Sequence, residues 1–228
     1  MSSQKKVLIH CEGPTEEQFV KDVLGPHLRG NDVYPIAKIV TTKRTLAGAD
    51  HKGGLCMGGF PRVEGELKRL LCDTSAIAVT TLYDFYGLPD DFPRDEQTFA
   101  QAVTGLDKAK HLEERLEQCI GSRRFRAYLQ LHEFEAMLFT DGQPYNNYFA
   151  KEIGEQVDKI RQTCGGPESV NNQRSTSPSH RLTDLFDQYG ERYDKVTYGS
   201  ILADDMTLHA IRQACPHFNE WLTWLENL

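Results

Sequence analysis

The sequence predicts an α/β protein, with a mostly parallel sheet flanked by helices over residues 1–140 and a helical annex over residues 141–228 packed on that core. Three observations carry the expectation. Short apolar runs rich in β-branched residues alternate with segments of helical period as far as about residue 135. Beyond residue 141 the pattern changes to helices separated by polar loops. The composition, 39% apolar and 26% charged over 228 residues, is that of a chain able to bury a sizeable core.

The elements follow in order. Val7–Cys11 reads as a buried parallel strand, bounded by Glu12-Gly13-Pro14. Thr15 is expected to cap the next helix, with Glu16 and Glu17 in its first turn, and Gly25-Pro26 to stop it. Tyr34–Val40 fits a second strand, leading into a glycine-bearing mobile loop that carries Lys43, Arg44 and Lys52. Val63–Leu71 is helical in period, and Ala76–Tyr83 is the most strand-like run, terminated by Asp84. Residues 84–105, rich in Asp, Pro and Gly, form a surface excursion before an amphipathic helix over Leu106–Ile120. Phe125–Leu131 is the fourth strand, running into His132-Glu133-Phe134-Glu135, so the order β-α-β-α-β-α-β implies a parallel sheet covered on both faces. In the annex, residues 165–180 look too polar to be core. Phe218, Trp221, Leu222, Trp224 and Leu225 form an apolar stripe that suits packing better than base stacking.

A net charge of −7 argues against a surface that binds polyanions as a whole, so such a partner would need a local basic patch or bridging metal ions. Six dispersed cysteines without a CxxC pair fit reduced thiols, most of them buried. The N-terminal apolar run is too short for a membrane span or a signal-peptide core, which predicts a soluble cytoplasmic protein. No GxGxxG or GxxxxGK[ST] follows the first strand, which excludes a Rossmann or P-loop nucleotide site.

The acids fall where such a sheet places its ligands. Outside the carboxyl ends of the strands lie Glu12 after the first, Asp84 after the third, and Glu133 and Glu135 after the fourth. Glu133 and Glu135 alternate with Phe134, so on a strand both would point to one face. Converging carboxylates repel unless a cation neutralises them, and hard divalent ions such as Mg²⁺ or Mn²⁺ suit oxygen donors and phosphate oxygens alike. A phosphodiester is the natural substrate of that arrangement. Taken singly, each acid is as easily a helix cap or a solvated loop residue, Glu16 and Glu17 above all.

"EGPTEE" after one strand and "YDFYG" after another resemble the Toprim fold of topoisomerases, primases and nucleases, and more closely the nucleases of the overcoming-lysogenization-defect (OLD) type. Together with "HEFEAMLF", "GPESVNN", "SPSHRL" and "CPHFNEWL", the chain is similar over nearly its whole length to a bacterial family of uncharacterised Toprim-like proteins often linked to phage defence and to neighbouring ATPases. The resemblance implies Mg²⁺ or Mn²⁺ held by Glu12, Glu16, Asp84, Glu133 and Glu135, and nuclease action on DNA or RNA. The usual Asp-x-Asp is broken here, because Phe85 and Tyr86 follow Asp84; either Glu133 or Glu135 replaces the lost ligand or the site holds only one ion well. Arg181 and Lys195 are candidates to steady charge on a scissile phosphate, beside Glu12 and Asp84 as catalytic residues. Lys43, Arg44 and Lys52 are candidates to contact nucleic-acid phosphates. His132 is a secondary candidate for a base or ligand, and His10 is expected in the core. The alternative to a nuclease is a non-catalytic scaffold that docks an ATPase or another copy of itself.

Overall fold

A computed structural model of the chain describes residues 4–44, 50–52, 55, 58–171 and 176–228; of residues 41–44 and 50–52 only the backbone is described. Apolar runs of β-branched residues become strands β1 (Lys5–Cys11) and β2 (Val33–Ile39). Between them lie helix α1 (Pro14–Phe19), a π-helical turn (Val20–Leu24) and α2 (Gly25–Arg29). β3 (Thr41–Arg44) and β4 (Asp50–Lys52) pair antiparallel within the stretch expected as a mobile loop, the rest of which lies largely outside the described residues. Then come α3 (Gly59–Leu71), β5 (Ala76–Asp84), α4 (Glu96–Gln101), α5 (Gly105–Ile120), and two short strands, β6 (Phe125–Arg126) and β7 (Leu129–Gln130), where one was expected.

The main sheet has the order β2-β1-β5-β6, with β7 also on β5, and every pairing in it is parallel. The chain is therefore α/β, a parallel sheet flanked by helices. Alternation along β1 sends Val7, Ile9 and Cys11 into one core and Leu8 into the other. The Leu8 face packs on Val63 and Leu67 of α3 and on Leu112 and Leu116 of α5. The Val7 face packs on Phe19, Val23 and Leu24 and on the C-terminal helices: α6 (Lys151–Cys164), α7 (Pro178–Gln188), α8 (Lys195–Asp205), α9 (Leu208–Ala214) and α10 (Pro216–Glu226). Each large apolar side chain so buried contributes about 1.5–3 kcal/mol. The C-terminal stripe packs as expected: the Trp221 ring stacks on Tyr128 at 4.5 Å between centroids, and its indole N–H donates to Thr80 Oγ1 (2.9 Å).

Several local expectations fail for identifiable reasons. Gly25-Pro26 does not end the first helix. The preceding π turn widens the ladder ahead of a residue that has no N–H to give, and the helix runs on to Arg29. Gly13, not Thr15, is the N-cap; Thr15 lies buried inside α1. Residues 165–180 are not wholly outside the core, since Pro167 and Val170 are buried. Of the five described cysteines, all free, only Cys11 and Cys215 are buried, while Cys72 and Cys119 are exposed.

Candidate functional site

The carboxyl ends of β1, β5 and β7 lie side by side, and there the acids gather. Glu12 follows β1, and its Oε2 accepts the Asp84 N–H (3.2 Å), which ties the end of β1 to the end of β5. Gly87 closes over this carboxylate so tightly that a Cβ there would overlap both Glu12 oxygens. Glu16, at the third position of α1, reaches back to accept the Gly13 N–H (2.8 Å), one half of a capping box, which holds it buried at the mouth of the sheet. Asp84 is the last residue of β5; its Oδ1 accepts the Phe134 N–H (2.7 Å).

Residues 134–139 are a 3₁₀ helix rather than a strand, so Glu133 and Glu135 part company. Glu135 is fully buried, with Oε2 3.1 Å from Lys195 Nζ in an ion pair without hydrogen-bond geometry and Oε1 without a partner. Glu133 turns to α7 and accepts the Ser179 N–H (2.9 Å) in its first turn. The expected common face therefore does not exist, although the Glu133 charge still acts on Asp84.

Lys195, in the first turn of α8, also lies 3.5 Å from Asp84 Oδ2. Gly199, one turn on, lets α8 approach Thr15 and Phe134 so closely that a Cβ would come within 3.1 Å of both. That approach aims Lys195 among the acids.

Burial dominates the electrostatics. It raises the Glu12 carboxyl to about 8, with Asp84 and Glu16 adding, and Glu16 to about 7, with Asp84 adding. Burial raises Glu135 to about 7 although Lys195 opposes it, and Asp84 rises for the same reason against the same lysine. Burial alone would lower Lys195, but the charges of Asp84, Glu135 and Glu16 outweigh it and hold the ammonium above its ordinary range. One cation thus faces Glu16, Asp84 and Glu135 at once, too little charge to ionise them all.

In kind, these oxygens fit a hard divalent cation, and the partnerless Glu135 Oε1 is a donor in want of one. In arrangement, no set of three or more His, Cys, Asp or Glu side chains among the described residues is disposed to hold an ion.

The other candidates lie elsewhere. Glu17 pairs with Lys21 (2.9 Å) on the surface. Arg181 is not among the acids: its Nε donates to the Thr176 carbonyl (2.9 Å) and it lines a neighbouring cleft. His132 has one ring nitrogen committed, Nε2 engaging the Glu168 carbonyl (3.1 Å), and burial lowers its pKa. His10 is core as expected, held between the Tyr83 hydroxyl (2.5 Å) and Glu66 (3.1 Å). Lys43, Arg44 and Lys52 lie in β3 and β4, and their side chains fall outside what is described. Sequence reasoning missed Gly87, Gly199 and Tyr193. The Tyr193 hydroxyl is buried without a partner, and its acidity is weakened by burial and by the Glu135 charge. A glycine three residues after Asp84 was the one signal in the text.

Residues 11–226 match the family described as domain of unknown function DUF4276, and the chain belongs to it. Two solved structures of the C-terminal region of the Xanthomonas campestris pv. campestris OLD protein are similar to it. The crystal phased with iodine has 13% identity and a TM-score of 0.35, covering 97% of this chain and 98% of that one. The crystal phased with mercury has 14% identity and a TM-score of 0.33, covering 96% of each. No curated protein matches. No helix among the described residues is long and apolar enough to cross a membrane.

Proposed function

We propose that the chain is a metal-dependent phosphodiesterase acting on nucleic acid, a Toprim-type nuclease of the cytoplasm. The observation that carries the reading is the meeting of Glu12, Glu16, Asp84 and Glu135 around Lys195 at the carboxyl edge of a parallel sheet. Glu12, Glu16, Asp84 and Glu135 are the residues that would hold Mg²⁺ or Mn²⁺, Glu135 supplying the oxygen that the broken Asp-x-Asp lacks. Such an ion, when bound, activates water and polarises the phosphoryl oxygens. The chain's own contribution is positional. The Phe134 N–H fixes Asp84, the Asp84 N–H fixes Glu12, and Lys195 stands ready to face the charge on a scissile phosphate. Phage defence beside a partner ATPase is the setting that the sequence resemblance suggests.

The test is cleavage of single- and double-stranded DNA and RNA with Mg²⁺ or Mn²⁺, with and without such an ATPase. Glu12→Gln and Asp84→Asn are expected to abolish cleavage while leaving the circular dichroism spectrum intact; wild-type protein that cuts nothing refutes the reading. The lack of a ready three-ligand set among the described residues favours a second reading, a scaffold in which Lys195 alone offsets the acids. Calorimetry with Mn²⁺ separates the two, since a scaffold gives no binding heat that depends on Glu12.

A further inference from the structure

A cleft of about 720 Å³ has Val103, Leu106, Leu131, His132 and Arg181 among the residues that line it. The backbone joins this cleft to the carboxylates: His132 lies two residues before Phe134, whose N–H holds Asp84, and Glu133 between them accepts the Ser179 N–H, two residues before Arg181 on α7.

His132 holds a φ of 66°, a left-handed conformation uncommon outside glycine. Three contacts hold it there. The imidazole engages the Glu168 carbonyl (3.1 Å), its ring stacks on Tyr86 (5.6 Å, 28°), and its carbonyl accepts the Tyr86 N–H (3.1 Å). Tyr86 lies two residues past Asp84 and is partly exposed, so an aromatic step joins the carboxylates to the cleft. The Arg181 stem is anchored by the bond from Nε to the Thr176 carbonyl, which orients its planar fork. Glu168, an acid on the same wall, is turned away, its carboxylate accepting the N–H groups of His217 (3.2 Å) and Phe218 (3.1 Å) at the start of α10. An arginine, apolar walls and an imidazole backed by Tyr86 around a cavity of this size suit a nucleotide.

We propose that this cleft seats one nucleotide unit of the nucleic-acid strand. Its phosphate lies on Arg181 and its base against Val103 and Leu106, while the adjoining phosphodiester passes over Tyr86 to the carboxylates. The inference rests on the nuclease reading and assigns its substrate seat.

The experiment is calorimetry of the full chain with adenosine 5′-monophosphate in a chelator, so that no metal recruits the phosphate to the carboxylates. Wild-type protein is expected to bind, with affinity falling about tenfold or more in Arg181→Gln. A second variant, Val103→Glu, places a repelling charge at the lip and is expected to weaken binding too; Val103 is 91% exposed, so the fold is spared. An adenylate trinucleotide is expected to displace the mononucleotide. Absence of binding, or equal affinity in all three proteins, overturns the seat; a bound mononucleotide that the trinucleotide fails to displace overturns its assignment to a strand. Hydrolysis of bis(p-nitrophenyl) phosphate by wild-type protein with Mn²⁺ tests the nuclease reading separately. Hydrolysis without nucleotide binding sinks the seat alone, and binding without hydrolysis sinks the nuclease reading and the strand assignment that rests on it.

Discussion

Lys195 Nζ lies 3.1 Å from the fully buried Glu135, joining the start of α8 to the 3₁₀ helix that follows β7. The same ammonium lies 3.5 Å from Asp84, so one side chain serves two elements. Lys195→Met leaves both acids without their cation and drives their pKa values higher still. A fully buried pair broken on one side costs about 3–5 kcal/mol. The Lys195 side chain is 37% exposed, and the expected loss is accordingly smaller, about 2 kcal/mol by urea unfolding at pH 7. An unchanged midpoint contradicts the pairing.

Gly87→Ala tests the site without touching an acid. The added methyl overlaps the Glu12 oxygens and pushes that carboxylate off the Asp84 N–H. Mn²⁺ binding by calorimetry, or cleavage where it is seen, is expected to fall by about tenfold or more, with a cost of about 1 kcal/mol in stability. If alanine is tolerated on both counts, Glu12 is not confined as described.

The pH dependence of stability follows from the raised carboxyls. In the folded chain Glu12 holds its proton to about 8, and Glu16 and Glu135 to about 7, against an ordinary 4.5. Between those limits the unfolded chain binds fewer protons, so stability falls as pH rises. Metal-free protein is expected to be most stable near pH 5 and to lose roughly 5 °C in Tm by pH 8. Divalent ions, which compete with the protons, are expected to restore part of the loss at pH 8 and little at pH 5. A Tm that climbs from pH 5 to 8 in chelator refutes this.

Trp221 ties the C-terminal helices to the sheet through its stack on Tyr128 and its bond to Thr80. Trp221→Ala removes a side chain 1% exposed and is expected to cost about 3–5 kcal/mol by denaturant unfolding. Trp221→Phe keeps the stacking and loses chiefly the hydrogen bond, for about 1 kcal/mol.

What the sequence made legible depended on contrast. β1 and β5 were readable because strands buried on both faces are continuous apolar runs, and Glu12 and Asp84 stood out where those runs stop. Glu133 and Glu135 misled because apolar and charged residues alternate across Phe134 as they do on a strand; only packing against α7 and α8 selects the 3₁₀ turn. Lys195 and Arg181 are alike in the text, and the difference between them is tertiary. Gly199 draws α8 close enough for Lys195 to reach the acids, while Arg181 is tied to its own loop. The π turn before Pro26 was hidden for a similar reason, since it is an accommodation between neighbours rather than a preference of any one residue.

The charged pocket is assembled from residue 12 at one extreme and residue 195 at the other, with Asp84 and Glu135 between. A chain still emerging from the ribosome therefore carries the acids before it carries the lysine that balances them. Until α8 docks, the glutamates are unneutralised and the strand ends are open to water. The charge balance of this pocket is thus a product of complete folding, because no local segment holds both the acids and the lysine.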